Sequence, residues 1–245
     1  MLKMNRVLTP LILLMLINLA VLPLGCTQAG SALNGSGKLI DRVVEIADFD
    51  SVEAQGIFNL EITDSPSFQV VVSTDDNLIN RVLLSLDGKT LILKIEAPAT
   101  FFPTSLKVKI ALPQLKSLNL DDEAMTNISI SEAVHSFNLI LTGGSALEGY
   151  LESDLTNFYL SGQSWMNLQG KSKTLELDVA GGSQLDLSNF LLSGANVKLR
   201  EASSAFLNVN GDLNVVLEDA SKIIYLGNPL IKNTSITGDS SMVHG

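Results

Sequence analysis

The residues able to do chemistry are few in this chain, and their spacing keeps them apart. Two histidines, His135 and His244, are widely separated, and Cys26 is the single cysteine. A His-rich or Cys-rich metal cluster and an intrachain disulfide are therefore both excluded. A serine nucleophile needs a neighbouring base and a strand-to-helix elbow. Gly143-Gly144-Ser145 and Gly181-Gly182-Ser183 are turn sequences without that context. Carboxylates are more plentiful: Asp121-Asp122-Glu123, Glu148, Glu152 with Asp154, Glu201, and Glu218-Asp219, with Lys198 and Arg200 as the nearest basic pair. Acids of this kind beside a base could hold calcium and process an acidic polysaccharide, whereas acids at turns ordinarily cap and solubilise. Trp165, Tyr150, Tyr159 and Tyr225 are the aromatics with a polar edge from which a sugar-stacking platform could be built. No catalytic residue, metal ligand or cofactor site is assigned from this set, and the ligand-binding residues stay unassigned.

The elements that must position these residues repeat about every twenty positions from Leu115 onward. A serine column of Ser145, Ser164, Ser183, Ser204, Ser221 and Ser241, with Glu123 in the first copy, has spacings of 22, 19, 19, 21, 17 and 20. Two residues before it stand Asp121, Gly143, Gly162, Gly181, Ala202, Asp219 and Asp239, types that permit a tight turn. Two residues after it stand Met125, Leu147, Met166, Leu185, Phe206, Ile223 and Val243, which could stack in a buried column. Each copy opens on a period-two run, such as Phe137, Leu139 and Leu141, which is a half-buried strand. A unit this short cannot bury its stripe alone, so neighbours must stack. The fold class read from this pattern is all-β: a short antiparallel strand meander leading into a single-stranded β-helix, or solenoid, of about seven rungs. A β-sandwich with evenly spaced strands is the rival reading.

Residues 38–112 lack the column. Candidate strands cover residues 43–46, 57–63, 68–73, 82–86, 90–95 and 106–112, with a helical turn within 75–81. Asp87-Gly88 predicts a type I′ hairpin, because both residues tolerate positive φ. This region reads as an antiparallel cap over the first rung of a solenoid spanning 113–245, the two parts forming one domain.

The N-terminus gives an address. Lys3 and Arg6 precede an apolar stretch that ends in Leu22-Pro23-Leu24-Gly25-Cys26, the layout of a secretory signal over residues 1–25. A Cys directly after that Gly resembles a bacterial lipoprotein signal, in which Cys26 becomes the lipidated first residue; an ordinary signal peptide and an uncleaved anchor are the other readings. The serine- and glycine-rich residues 26–37 read as a flexible tether. Formal charge is −10, and removing Lys3 and Arg6 with the signal leaves 14 basic against 26 acidic residues. Such a surface repels phosphate backbones, so no nucleic-acid partner is expected.

Gly37-Lys38, then Phe49-Asp50-Ser51-Val52-Glu53-Ala54, Gly56-Ile57-Phe58-Asn59-Leu60-Glu61-Ile62, Leu78 to Arg81, and Leu112-Pro113-Gln114-Leu115-Lys116-Ser117-Leu118 before the serine-rich repeats resemble the DUF2807, or head GIN domain, family. The resemblance covers residues 38–245. It implies an exported bacterial protein with a few antiparallel strands leading into a β-helix, an inferred adhesion role and no lyase residues; Asp121-Asp122-Glu123 and Trp165 depart from the family pattern. The expected function is that of a non-enzymatic, cell-envelope lipoprotein, held on the extracytoplasmic side of a membrane by its lipid anchor and presenting a binding surface to a glycan or a protein. The alternative is a polysaccharide-active lyase or hydrolase on the same scaffold. Oligomeric state is left open.

Overall fold

Alternating apolar residues can be buried along one face only if the chain is extended, and the repeats obey that rule. The structure, a computed structural model, describes residues 32–96 and 101–245. Its first strands are β1 (Leu33–Asn34), β2 (Leu39–Val44), β3 (Ser51–Gln55), β4 (Asn59–Asp64) and β5 (Gln69–Asp75). A 3-10 turn (Ile79–Arg81) leads to β6 (Val82–Asp87), β7 (Thr90–Ile95), β8 (Phe101–Phe102) and β9 (Leu106–Leu112). Next come β10 (Ser117–Asp121), β11 (Met125–Leu141), β12 (Ala146–Leu160), β13 (Trp165–Val179) and β14 (Gln184–Leu199). The chain finishes with β15 (Ser204–Val209), β16 (Asp212–Leu217), β17 (Lys222–Leu226), β18 (Leu230–Ile236) and β19 (Ser241–His244). No helix among the described residues is long and apolar enough to cross a membrane. Cys26 and the signal-like segment lie outside the described residues.

The long strands β11 to β14 each serve two rungs, because each bends in its middle and contributes one half to either of two parallel stacks. In the first stack β10 pairs with the second half of β11, and the run continues through β14 to β16 and β18. In the second, the first halves of β11 to β14 lead on to β15, β17 and β19. These two stacks form a solenoid of about seven turns from Ser117 to His244. The N-terminal region contains the expected antiparallel pairs β2–β5, β5–β9 and β6–β7 and also extends the solenoid itself. Strands β3 and β7 continue the first stack in parallel, and β4 and β9 continue the second. β3 escaped the sequence reading because only Val52 and Ala54 of its five residues are apolar. In the β6–β7 hairpin Asp87 pairs with Thr90, so the turn is Gly88-Lys89, one residue later than expected. Gly88 alone has a positive φ, 58°, and a type I′ turn would need two such residues.

The tight corner of every rung carries two consecutive residues at positive φ: Asp122-Glu123, Gly143-Gly144, Gly162-Gln163, Gly181-Gly182, Glu201-Ala202, Asp219-Ala220 and Gly238-Asp239. Directly after each pair comes a small residue, and Ala124, Ser145, Ser164, Ser183, Ser203 and Ser221 are all buried. The corner column is therefore Ala124, Ser203 and Ser240 where the sequence pattern suggested Glu123, Ser204 and Ser241. Two serines stand side by side at 203–204 and at 240–241, and spacing could not choose between them. A slip of one residue exchanges the two faces of a strand. The inward column accordingly runs Thr126, Leu147, Met166, Leu185, Ala205, Ile223 and Met242, and Met125 and Val243 point outward, 60% and 45% exposed. Stacking is close at the corner: a Cβ on Gly181 would lie 2.8 Å from the Gly162 nitrogen.

The interior is filled by columns of Leu, Val and Ile, with Phe137, Phe158 and Phe190 meeting at centroid distances of 6.4 Å. At the broad bend opposite the corner, the buried hydroxyls of Ser153, Thr156 and Ser172 bond one another at 3.2–3.3 Å, so their burial leaves them satisfied. The outermost strand of the first stack, β18, has Lys232 in a register shift between Ile231 and Asn233, 3.7 Å from Asp212. A bulge and a lysine both blunt an exposed edge.

Residues 33–37, placed by sequence in the tether, are held to the cap. β1 pairs with β8, and the buried carboxylate of Asp75 accepts hydrogen bonds from the backbone N–H groups of Gly37 at 2.7 Å and Thr104 at 2.8 Å. Gly35 packs so near that a Cβ there would meet Asp75 Oδ2 at 2.2 Å. Burial pushes the Asp75 carboxyl up, and the hydrogen bonds from Thr104 and Gly37 outweigh it and hold the group below its ordinary value of 3.8.

Two outcomes follow. Leu185 is 4% exposed between Met166 and Ala205, so Leu185→Asp should cost at least about 3 kcal/mol, while Asn189→Asp, at an exposed position of the register shift within β14, should stay within about 0.5 kcal/mol; equal losses in denaturant melts would refute this register. Asp75→Asn should melt below the wild type at neutral pH. Because the folded carboxyl titrates below its unfolded value, its contribution is complete above pH 3.8 and is lost as pH falls through the lower folded value, so the two melting temperatures should converge in acid; a constant gap down to pH 2 would count against the latch.

Candidate functional site

Alternation leaves two outward faces, one per stack, and chemistry can sit on either. On the first stack, Asn138, Asn157, Glu176, Asn196, Asn214 and Asn233 occupy one register column. Their side chains bond along it. Asn157 Nδ2 donates to Asn138 Oδ1 at 2.9 Å, Asn196 Nδ2 to Glu176 Oε1 at 2.5 Å, Asn214 Nδ2 to Asn196 Oδ1 at 2.7 Å, and Asn233 Nδ2 to Asn214 Oδ1 at 2.6 Å. Every donor points toward the N-terminal rungs, so the amide dipoles align and reinforce one another. An amide carries two N–H groups and two carbonyl lone pairs, so each asparagine still has capacity to bond outward.

The neighbouring outward column holds Ile140, Tyr159, Asp178, Lys198, Val216 and Ser235. Ile140 and Tyr159 are 42% and 38% exposed. The charges here are paired across rungs: Arg200 lies 2.6 Å from Asp178, and Lys198 3.7 Å from Glu218. Two shallow hollows lie along these columns, one lined from Asn138 and Tyr159 to Glu176 and the other from Glu176 to Asn233 and Ser235, and they adjoin at Glu176 and Leu177. The second face has a smaller hollow, formed by Trp165, Gln184, Asp186, Phe206, Lys222 and Ile224.

The structure disperses most of the residues that sequence singled out. Tyr159 faces out of the first stack and Trp165 out of the second; Tyr150 donates to Glu152, and Tyr225 stacks on His244 at a centroid distance of 4.9 Å. Tyr150 shares the outward face of the second stack with Trp165 but stands four strand positions along it, roughly 14 Å away, and Tyr225 packs against the core, so the four aromatics make no common platform. Of the acids, Asp121 accepts from Thr142 Oγ1 at 2.6 Å and Glu201 from the Gly181 N–H at 3.1 Å, both of which brace corners. Glu148 accepts from Asn127 at 3.3 Å. Glu152 pairs with Lys171 at 3.0 Å, and Asp154 with Lys173 at 2.7 Å and His135 at 3.4 Å. Asp122, Glu123 and Asp219 occupy positive-φ corner positions. The Tyr150 hydroxyl and Lys171 hold Glu152 below the ordinary carboxylate range, and Lys173 with His135 does the same for Asp154; carboxylates so placed stay ionised near neutrality, unlike a general acid. Among the described residues no three His, Cys, Asp or Glu side chains come together as a metal site. The corner serines Ser145, Ser164, Ser183, Ser203 and Ser221 are buried and therefore out of reach as nucleophiles.

The asparagines were missed in the sequence, although a signal for them exists. Counted from the true corner column, Asn138, Asn157, Glu176, Asn196, Asn214 and Asn233 each stand seven residues before Ser145, Ser164, Ser183, Ser203, Ser221 and Ser240. With Ser204 and Ser241 in that column the interval becomes eight in two copies, and the regularity is broken.

A two-sheet β-solenoid, closed at one end by antiparallel strands and lined on one flank by a row of five asparagines and Glu176, is a repeat domain whose polar chemistry is spread over its surface. The chain belongs to the DUF2807 family, described as "Putative auto-transporter adhesin, head GIN domain", whose model matches residues 48–229. Solved structures share the fold at low identity. A "putative adhesin" from Bacteroides fragilis aligns with a TM-score of 0.82 at 18% identity over 87% of this chain and 100% of its own. One from Parabacteroides merdae aligns at 0.74 and 17%, over 87% and 99%, and a "putative lipid binding protein" from Parabacteroides distasonis at 0.67 and 18%, over 87% and 99%. No curated protein matches the chain significantly.

The amide row is exposed, and its members can return to water when a partner is removed. Asn196→Ala should therefore change unfolding free energy by no more than about 1 kcal/mol; a loss of several kcal/mol in a urea melt would make the row a device of stability.

Proposed function

We propose that this chain is an exported, lipid-anchored adhesion domain that binds through a lateral face of its solenoid and does not transform what it binds. The observation that carries the reading is the pair of adjoining hollows along the asparagine row and the column of Ile140 and Tyr159, where amide groups stand beside exposed apolar and aromatic side chains. The family description and the names of the aligned structures support an adhesion role. The paired, downward-shifted carboxylates favour binding over the alternative of a lyase or hydrolase.

Attachment rests on Leu22-Pro23-Leu24-Gly25-Cys26. The acyl groups of a bacterial lipoprotein would hold the domain stably, as a single chain would not. Replacing Cys26 by Ser should move the protein from the detergent phase to the aqueous phase, and mass spectrometry of the wild type should find an acylated N-terminus at Cys26; an unmodified N-terminus and unchanged partitioning would rule the anchor out. Beads coated with the purified domain should adhere to target cells, and Tyr159→Ala with Asn196→Leu should reduce that adherence.

A further inference from the structure

We infer that the asparagine face binds a linear, uncharged polysaccharide lying along the solenoid axis, about one sugar unit per rung. This deepens the proposed function and rests on the ladder face being the binding face. Three observations converge on the ligand class. The six register positions from Asn138 to Asn233 repeat at the strand spacing, so the row is about 24 Å long with a step of about 4.8 Å, close to the length of one pyranose unit in an extended chain. Only a polymer with its own short repeat can use such an array at every step.

The group types fit as well. Each amide offers a donor and an acceptor to hydroxyls that do both, and the exposed Ile140 and Tyr159 in the next column offer the apolar and aromatic surface on which the C–H face of a pyranose ring packs. Charge excludes the acidic polymers. Arg200, Lys198 and Lys232, the basic groups beside the row, are taken by Asp178, Glu218 and Asp212, the row itself contains Glu176, and the whole chain is at −10. A uronate or sulfated chain would meet the carboxylate of Glu176, which has no ion-pair partner among the described residues, and would find each neighbouring cation already paired. A bound protein strand is less well served, because the backbone edges of these strands are already paired within the stack, save the outer edge of β18, which a bulge and Lys232 blunt.

Affinity electrophoresis of the purified domain through gels containing β-1,4-glucan, β-1,3-glucan, dextran or polygalacturonate tests this directly. At least one neutral polymer should retard the domain and polygalacturonate should not. Oligosaccharides of the retarding polymer should bind more tightly with length up to about five or six units and then level off, the span of the row. Tyr159→Ala and Asn196→Leu should each weaken binding roughly tenfold or more with melting temperatures unchanged, and Trp165→Ala on the opposite face should have no effect. The inference falls if polygalacturonate retards equally, if affinity levels off at one or two units, if Trp165→Ala abolishes binding while the ladder variants do not, or if no neutral polymer binds. Should none bind while the ladder variants still abolish cell adherence, the adhesion face stands and its partner is a protein; should the ladder variants leave adherence intact as well, both readings fail.

Discussion

The fold depends on the tight corner, where two successive residues adopt positive φ and the next is small and buried. An L-residue pays a conformational cost in that region, and the corners bear it with Asp122-Glu123, Glu201-Ala202 and Asp219-Ala220 as well as with glycine pairs. What the corner gains is position. Once the small residue is locked inward, alternation decides every side chain on either arm of the rung, and identical corners above and below hold the parallel register. The inward columns of Leu, Val and Phe and the outward row of asparagines follow from that one placement. The same strictness explains Gly143, Gly162 and Gly181, which stack so tightly that an added Cβ would lie 2.7–3.0 Å from backbone nitrogens of the rung below.

Much of this was legible in the sequence, and the part that was not has a specific cause. Spacing, alternation and turn residues were enough for an all-β solenoid with an antiparallel cap, because they record local backbone needs. The register in three copies was not legible, since Ser203-Ser204 and Ser240-Ser241 present the same chemistry at adjacent positions and Glu123 is a polar residue standing at a corner whose buried member is Ala124. Nothing local distinguishes an inward serine from an outward one; burial does, and burial belongs to the stack. The parallel role of β3, β4, β7 and β9 was hidden for a related reason: β3 and β4 lie between β7 and β9 and the rungs that follow, an order in space that differs from the order in the chain.

The candidate site was less legible than the fold. Attention to titratable and aromatic residues led to Asp121, Glu152, Asp154, Glu201 and Trp165, which the structure assigns to corners, rung-bridging ion pairs and a hollow on the second face. The row that emerged is made, apart from Glu176, of asparagine, a residue that does not titrate and carries no catalytic signature. Its meaning comes from repetition at a fixed offset from the corner, a property of the assembled solenoid that no single repeat displays.

The clasp at the cap has a mechanical side. Any pull on the chain ahead of Leu33 reaches the domain first through the two-residue pairing of β1 with β8 and the Asp75 contact with Gly37, and only then through β2 and its antiparallel partner β5. The solenoid rungs lie behind both. A domain gripped along its flank and tugged from its N-terminal end would therefore yield in stages, lengthening its leash by a few residues while the gripping face keeps its shape, as a sacrificial link spares the structure it secures.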